Sequence, residues 1–126
     1  MKTLLAVASS IEAATGLALL TCPAIVVQLL FGAEIAGAGV LASRVAGIAL
    51  IALGVACWPG RSMTQGLYGL LIYNLLVTVF FVYVGLGGAW VGMLLWPAAV
   101  AHAVLTVMLA RAWFSDRRRL FREQAQ

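Results

Sequence analysis

Four apolar stretches, each long enough to cross a bilayer, occupy nearly all of this 126-residue chain. Hydrocarbon offers no water to a stray backbone amide, so only helices or a closed barrel can satisfy the main chain there. Ala, Leu and Gly dominate the stretches and no period-two alternation is present, which selects helices over barrel strands. They cover residues 3–21, 40–58, 66–84 and 89–111. Segments of about 19 to 23 residues are roughly 28–35 Å long as helices, which matches a hydrocarbon core of about 30 Å. The expected fold is therefore all-α, an integral membrane four-helix bundle, with residues 1–126 forming a single transmembrane domain. A composition of 64% hydrophobic and 10% charged residues excludes an ordinary soluble globular domain.

The net charge of +4 does not point to nucleic acid, because the charges flank the spans instead of forming a patch on a soluble surface. They fix orientation. With four spans both termini lie on one side, together with Lys2, Arg61, Arg111, Arg117, Arg118, Arg119 and Arg122. The opposite side holds only Glu34. The positive-inside rule then predicts a multi-pass protein of a bacterial inner membrane with cytoplasmic N- and C-termini. Trp58 and Trp113 fall near the inner interface and Trp90 near the outer one, as in aromatic belts.

The N-terminal sequence resembles a secretory signal, with Lys2 followed by a short apolar run. Glu12 interrupts that run and the apolar stretch resumes to Leu20, so it reads as a retained first span. Cys22-Pro23 ends this span. Residues 24–31 make an apolar segment of eight residues, too short to cross. It reads either as a short interfacial or re-entrant helix over the outer mouth of the bundle, or as a connector packed on headgroups. Trp58-Pro59-Gly60 ends span two, and Gly85-Leu86-Gly87-Gly88 is expected to make a tight turn between spans three and four.

Cys22 and Cys57 fall at opposite ends of the first two spans, whereas a disulfide needs Cα atoms within about 7 Å. They cannot pair within one chain. One His, the few carboxylates and these remote thiols do not make a metal set, and no nucleophile elbow or phosphate loop is present.

The candidate site is a set of polar groups inside the spans: Glu12, Arg44, Tyr73, Asn74 and His102. Charges and polar groups in hydrocarbon are costly and usually face a bundle interior, a partner or a pathway. Counting residues puts Glu12, Asn74 and His102 about 12–15 Å from the inner boundary, at one level on three spans. Arg44 lies about 6 Å in from the outer side, and its long arm either reaches towards Glu12 or snorkels to headgroups. Ala8, Ser9, Glu12 and Gly16 share one face; so do Arg44, Gly47, Ile51 and Gly54, and so do Ala98, Ala99, His102 and Thr106. Small residues in such stripes mark helix contacts in membranes.

Three readings of the cluster stay open. Glu12 and Arg44 form a compensated pair, with Asn74 and His102 fixing helix register. Or the groups line a ligand or proton site together with Trp96-Pro97. Or the polar stripe meets another subunit or a second copy of the chain. The tail, residues 112–126, is basic with apolar residues interleaved, so Arg117, Arg118, Arg119 and Arg122 are expected to touch lipid headgroups.

The segment Thr21-Cys22-Pro23 to Leu29-Leu30-Phe31-Gly32, followed by Ser43-Arg44-Val45-Ala46-Gly47, resembles DoxX-like small bacterial membrane proteins. The resemblance implies a four-span fold, a Pro closing the first helix, and an Arg and a Gly, here Arg44 and Gly47, opening the second. The group takes its name from a subunit associated with quinone-linked oxidation, and the resemblance implies a fold more than an activity. No catalytic constellation is legible, and a redox enzyme would need a partner to supply the electron carrier. The functions expected are an accessory or structural component of a membrane complex, or a binder of a small hydrophobic ligand, quinone or lipid.

Overall fold

The computed structural model describes residues 1–60 and 63–124, with side chains as far as Arg118. Each apolar run folds as a helix: α1 (Lys2–Thr21), α3 (Ala38–Ala56), α4 (Met63–Gly87) and α5 (Leu95–Gln124), with a short α2 (Pro23–Phe31) after the first. The four longer helices are long and apolar enough to cross a membrane; α2 has nine residues and is not. Pro23 starts α2 at a position where its missing N–H is no loss, and Gly32 ends it in the left-handed conformation at φ 66°.

Two antiparallel pairs make the molecule, α1 with α3 and α4 with α5. The first pair is a seam of backbone against backbone. A Cβ on Gly16 would lie 2.6 Å from the Gly47 carbonyl oxygen, and one on Gly47 would lie 2.6 Å from that of Gly16. Gly54 meets the Ser9 carbonyl in the same way, one helical repeat further along. Small residues let two helices approach this closely, and dispersion between the backbones then holds them.

The pairs close on each other at the end that carries the termini. There Leu5 and Ala8 of α1, Leu67 and Leu70 of α4, and Leu105 and Leu109 of α5 form one buried cluster with Cys57. At the other end a smaller cluster of Phe81, Leu95 and Ala99 packs against Leu30 and Phe31 of α2. Between these two clusters the pairs touch where Asn74 meets Glu12 and otherwise stand apart.

Several boundaries differ from the sequence expectation. α4 runs through Gly85 to Gly87, and the turn falls at Gly88, whose φ is 72°. Residues 89–94, expected as the start of span four, are not helical, and α5 begins at Leu95. The cause lies in α2, whose last carbonyls have no partner within their own helix. Gly92 N–H donates to the Leu30 carbonyl (3.0 Å) and Leu94 N–H to the Leu29 carbonyl (2.8 Å). Only glycine fits at 92, because a Cβ there would collide with the Leu29 oxygen. The basic tail is not a separate element: α5 continues without a break from the fourth apolar run to Gln124. The Arg117 guanidinium stacks over Trp113 at 4.5 Å. Arg61 and the side chains of Arg119 and Arg122 lie outside the described residues.

Candidate functional site

Glu12, Asn74 and His102 come from α1, α4 and α5 and meet where the two helix pairs touch. Glu12 is 1% exposed and Asn74 is fully buried. A carboxyl or an amide in such surroundings is costly unless it is hydrogen-bonded. The Asn74 amide nitrogen donates to the Leu70 carbonyl (2.9 Å) and to Glu12 Oε1 (3.3 Å). Its oxygen lies 2.7 Å from His102 Nδ1. The Tyr73 side chain neighbours the Glu12 carboxyl. Asn74 thus has its two N–H groups and its oxygen engaged, and it links three helices. The His102 ring is held edge-on to Tyr73 and Phe81, with ring centres 6.0 and 5.7 Å away.

Tyr73 and His102, the members of this cluster that line it, form the floor of a cleft between the helix pairs. One lobe, about 590 Å³, opens between α3 and α4 and is walled by Ala46, Leu50, Leu53, Val77 and Phe81. The other, about 400 Å³, lies on the α1 and α5 side and reaches Thr15, Pro97, Ala101 and His102. Leu19, Leu30, Leu50, Tyr73 and Phe81 line both lobes, so the lobes meet in the middle of the molecule. α2 forms the roof through Val27, Leu30 and Phe31 on one side and Val26 and Leu29 on the other. These volumes fall in the range of ligand pockets, about 300–1,000 Å³.

The polar residues singled out in the sequence divide. Glu12, Tyr73, Asn74 and His102 come together. Arg44 does not: it is exposed on α3, and among the described residues it makes no ion pair. Its neighbour on the same face, Gly47, is buried in the seam. Glu12 is therefore hydrogen-bonded by the Asn74 amide, not by a guanidinium. Pro97 lines the cleft as expected of the pair Trp96-Pro97, but Trp96 packs over Gly85 outside it. Thr78 and Thr106 turn their hydroxyls back to the carbonyls of Asn74 and His102 within their own helices. Sequence reasoning missed the wall residues Leu19, Leu50 and Phe81, and offered α2 over the mouth of the bundle as one of two readings. The one available signal was an apolar helix too short to span, bracketed by Pro23 and Gly32.

Both cysteines are free, Cys22 exposed and Cys57 buried. Among the described residues no three His, Cys, Asp or Glu side chains gather in a metal-binding group. Chemically the site offers a weak acid, a phenol, an amide and an imidazole beneath apolar walls. That set can orient and hydrogen-bond the polar end of an otherwise apolar molecule. Comparison with protein-family models, curated proteins and solved structures finds no match for this chain.

Proposed function

We propose that this chain is a multi-pass protein of a bacterial inner membrane with cytoplasmic termini, and that its cleft binds a small amphipathic molecule from the bilayer, a quinone or a lipid. The observation that carries the reading is a two-lobed, largely apolar cleft bordered by Tyr73 and His102, with His102 tied through Asn74 to the buried Glu12. Interhelical hydrogen bonds in lipid are worth only about 0.6 kcal/mol on average, so fold stability alone is a weak reason to bury three such groups. The cationic residues at the termini end support the orientation, and the lobe between α3 and α4 would admit a ligand sideways from the membrane. The resemblance to DoxX-like proteins, which rests on short motifs, fits the same class of ligand.

The test is photolabelling in lipid nanodiscs with an alkyl diazirine lipid, followed by mass spectrometric mapping of the adduct. Labelling at Leu50 or Val77, lost in Ala46→Phe, is expected. Labelling confined to outward-facing residues such as Leu76 and Val79 would sink the proposal.

A second reading has its own observation. Arg44 is a charge on the exposed flank of a spanning helix with no protein counter-charge among the described residues, which suits an acidic neighbour in a membrane complex. The protein would then be an accessory or structural subunit. Native mass spectrometry after extraction in a membrane-solubilising polymer should show other polypeptides, and Arg44→Ala should release them. A chain that stays alone removes this reading.

A further inference from the structure

The ligand's polar end can be read from the hydrogen-bond bookkeeping of the floor. The Leu70 carbonyl can only accept, so the group 2.9 Å from it must be the Asn74 NH2. The Asn74 oxygen then faces His102, and Nδ1 of that ring must donate across the 2.7 Å contact. In an uncharged imidazole one nitrogen donates and the other accepts. With Nδ1 committed as donor, Nε2 is the acceptor, and among the described residues it has no hydrogen-bond partner. The edge-on contacts of Tyr73 and Phe81 fix the ring plane and hence the direction of that lone pair. His102 lines the α1–α5 lobe, so the lone pair belongs to a side chain that borders the cleft.

Resting on the reading of the cleft as a ligand site, we infer that it selects an uncharged lipid whose polar end is a hydroxyl, donating to His102 Nε2. A carbonyl or ether oxygen would bring lone pairs against a lone pair and leave the imidazole unsatisfied. The Thr15 hydroxyl in the same lobe donates or accepts equally well and sets no preference. Long-chain alcohols, isoprenoid alcohols, diglycerides and quinols share the required group; ketones, ethers and quinones lack it, which narrows a ligand of the quinone type to its reduced form.

The chain contains a single histidine, so 15N-histidine labelling reports His102 alone. The protein, in nanodiscs, is titrated with dodecan-2-ol, dodecan-2-one and 2-methoxydodecane, molecules of closely similar shape. Affinity is followed on the methyl signals of Leu50 and Ala101. Before addition, Nδ1 should carry the proton and Nε2 none. The alcohol should shift the Nε2 resonance and bind about tenfold more tightly than the ketone or ether, as expected for one hydrogen bond. His102→Phe should bind all three alike. A protonated Nε2 in the free protein, or equal affinities for the three probes, overturns the inference while leaving the cleft as a ligand site. If no probe perturbs Leu50 or Ala101, the inference falls together with the proposed function.

Discussion

The seam between α1 and α3 and the gap between the two helix pairs share α1 and α3, yet they are built on opposite principles. In the seam Gly16, Gly47 and Gly54 let the helices close until backbone meets backbone. Across the gap Leu50, Tyr73, Val77 and Phe81 point towards each other and do not fill the space they enclose. Large side chains hold the pairs apart, the polar relay ties them at one level, and α2 bridges the top. The difference teaches that close packing in this molecule is spent on making two rigid halves, and that the space between the halves is left open.

The comparison is broken most severely at the seam. Gly47→Leu puts a side chain where the Gly16 carbonyl already lies, and overpacking of this kind against backbone should destabilise by about 3 kcal/mol. Unfolding by steric trapping in lipid would read it, and a near-neutral result would mean that the seam is not close-packed. Next comes the tie across the gap. Asn74→Leu leaves the Glu12 carboxyl and His102 Nδ1 buried without their shared partner, which should cost about 1–3 kcal/mol. A cost below the average interhelical bond would show that the relay does not hold the halves together.

A smaller, local effect is expected at the roof. Gly92→Ala collides with the Leu29 carbonyl and should loosen α2 by about 1–2 kcal/mol. Faster amide exchange at Leu94, with the amides of Leu67 and Leu70 unchanged, is the expected signature; uniform acceleration would make the roof part of the global core. The smallest effect serves as a control. A Cβ on Gly87 meets nothing within 4 Å and the residue ends α4, so Gly87→Ala should be neutral or stabilise by about 0.5 kcal/mol. A clear loss of stability there would reveal a contact that glycine alone permits.

The polar relay was largely legible in the sequence. Glu12, Asn74 and His102 sit at matching distances along three apolar runs, and helical rise converts those distances into a common level. The stripes of small residues likewise announced the α1–α3 seam. Arg44 was not legible. Its spacing from Gly47 placed it on the seam's face, but three residues along a helix leave about 60° of rotation, enough to carry a long side chain out to the flank. Nor was the loop at residues 89–94. Its sequence is as apolar as a span, and it gives up helix because the ends of α2 need donors that only a folded neighbour can supply.

The sequence by itself determined that the chain is helical, that four of its helices are long and apolar enough to span a membrane, and where its charges gather, because these depend on composition and on period along one strand of chain. Only the tertiary structure decided that Glu12 is held by Asn74 and not by Arg44, that α2 is a roof, and that a cleft lies between the helix pairs. Those outcomes depend on helix rotation and on the distance between helix axes. Both are set by which side chains meet across a gap, and no local stretch of sequence contains that information.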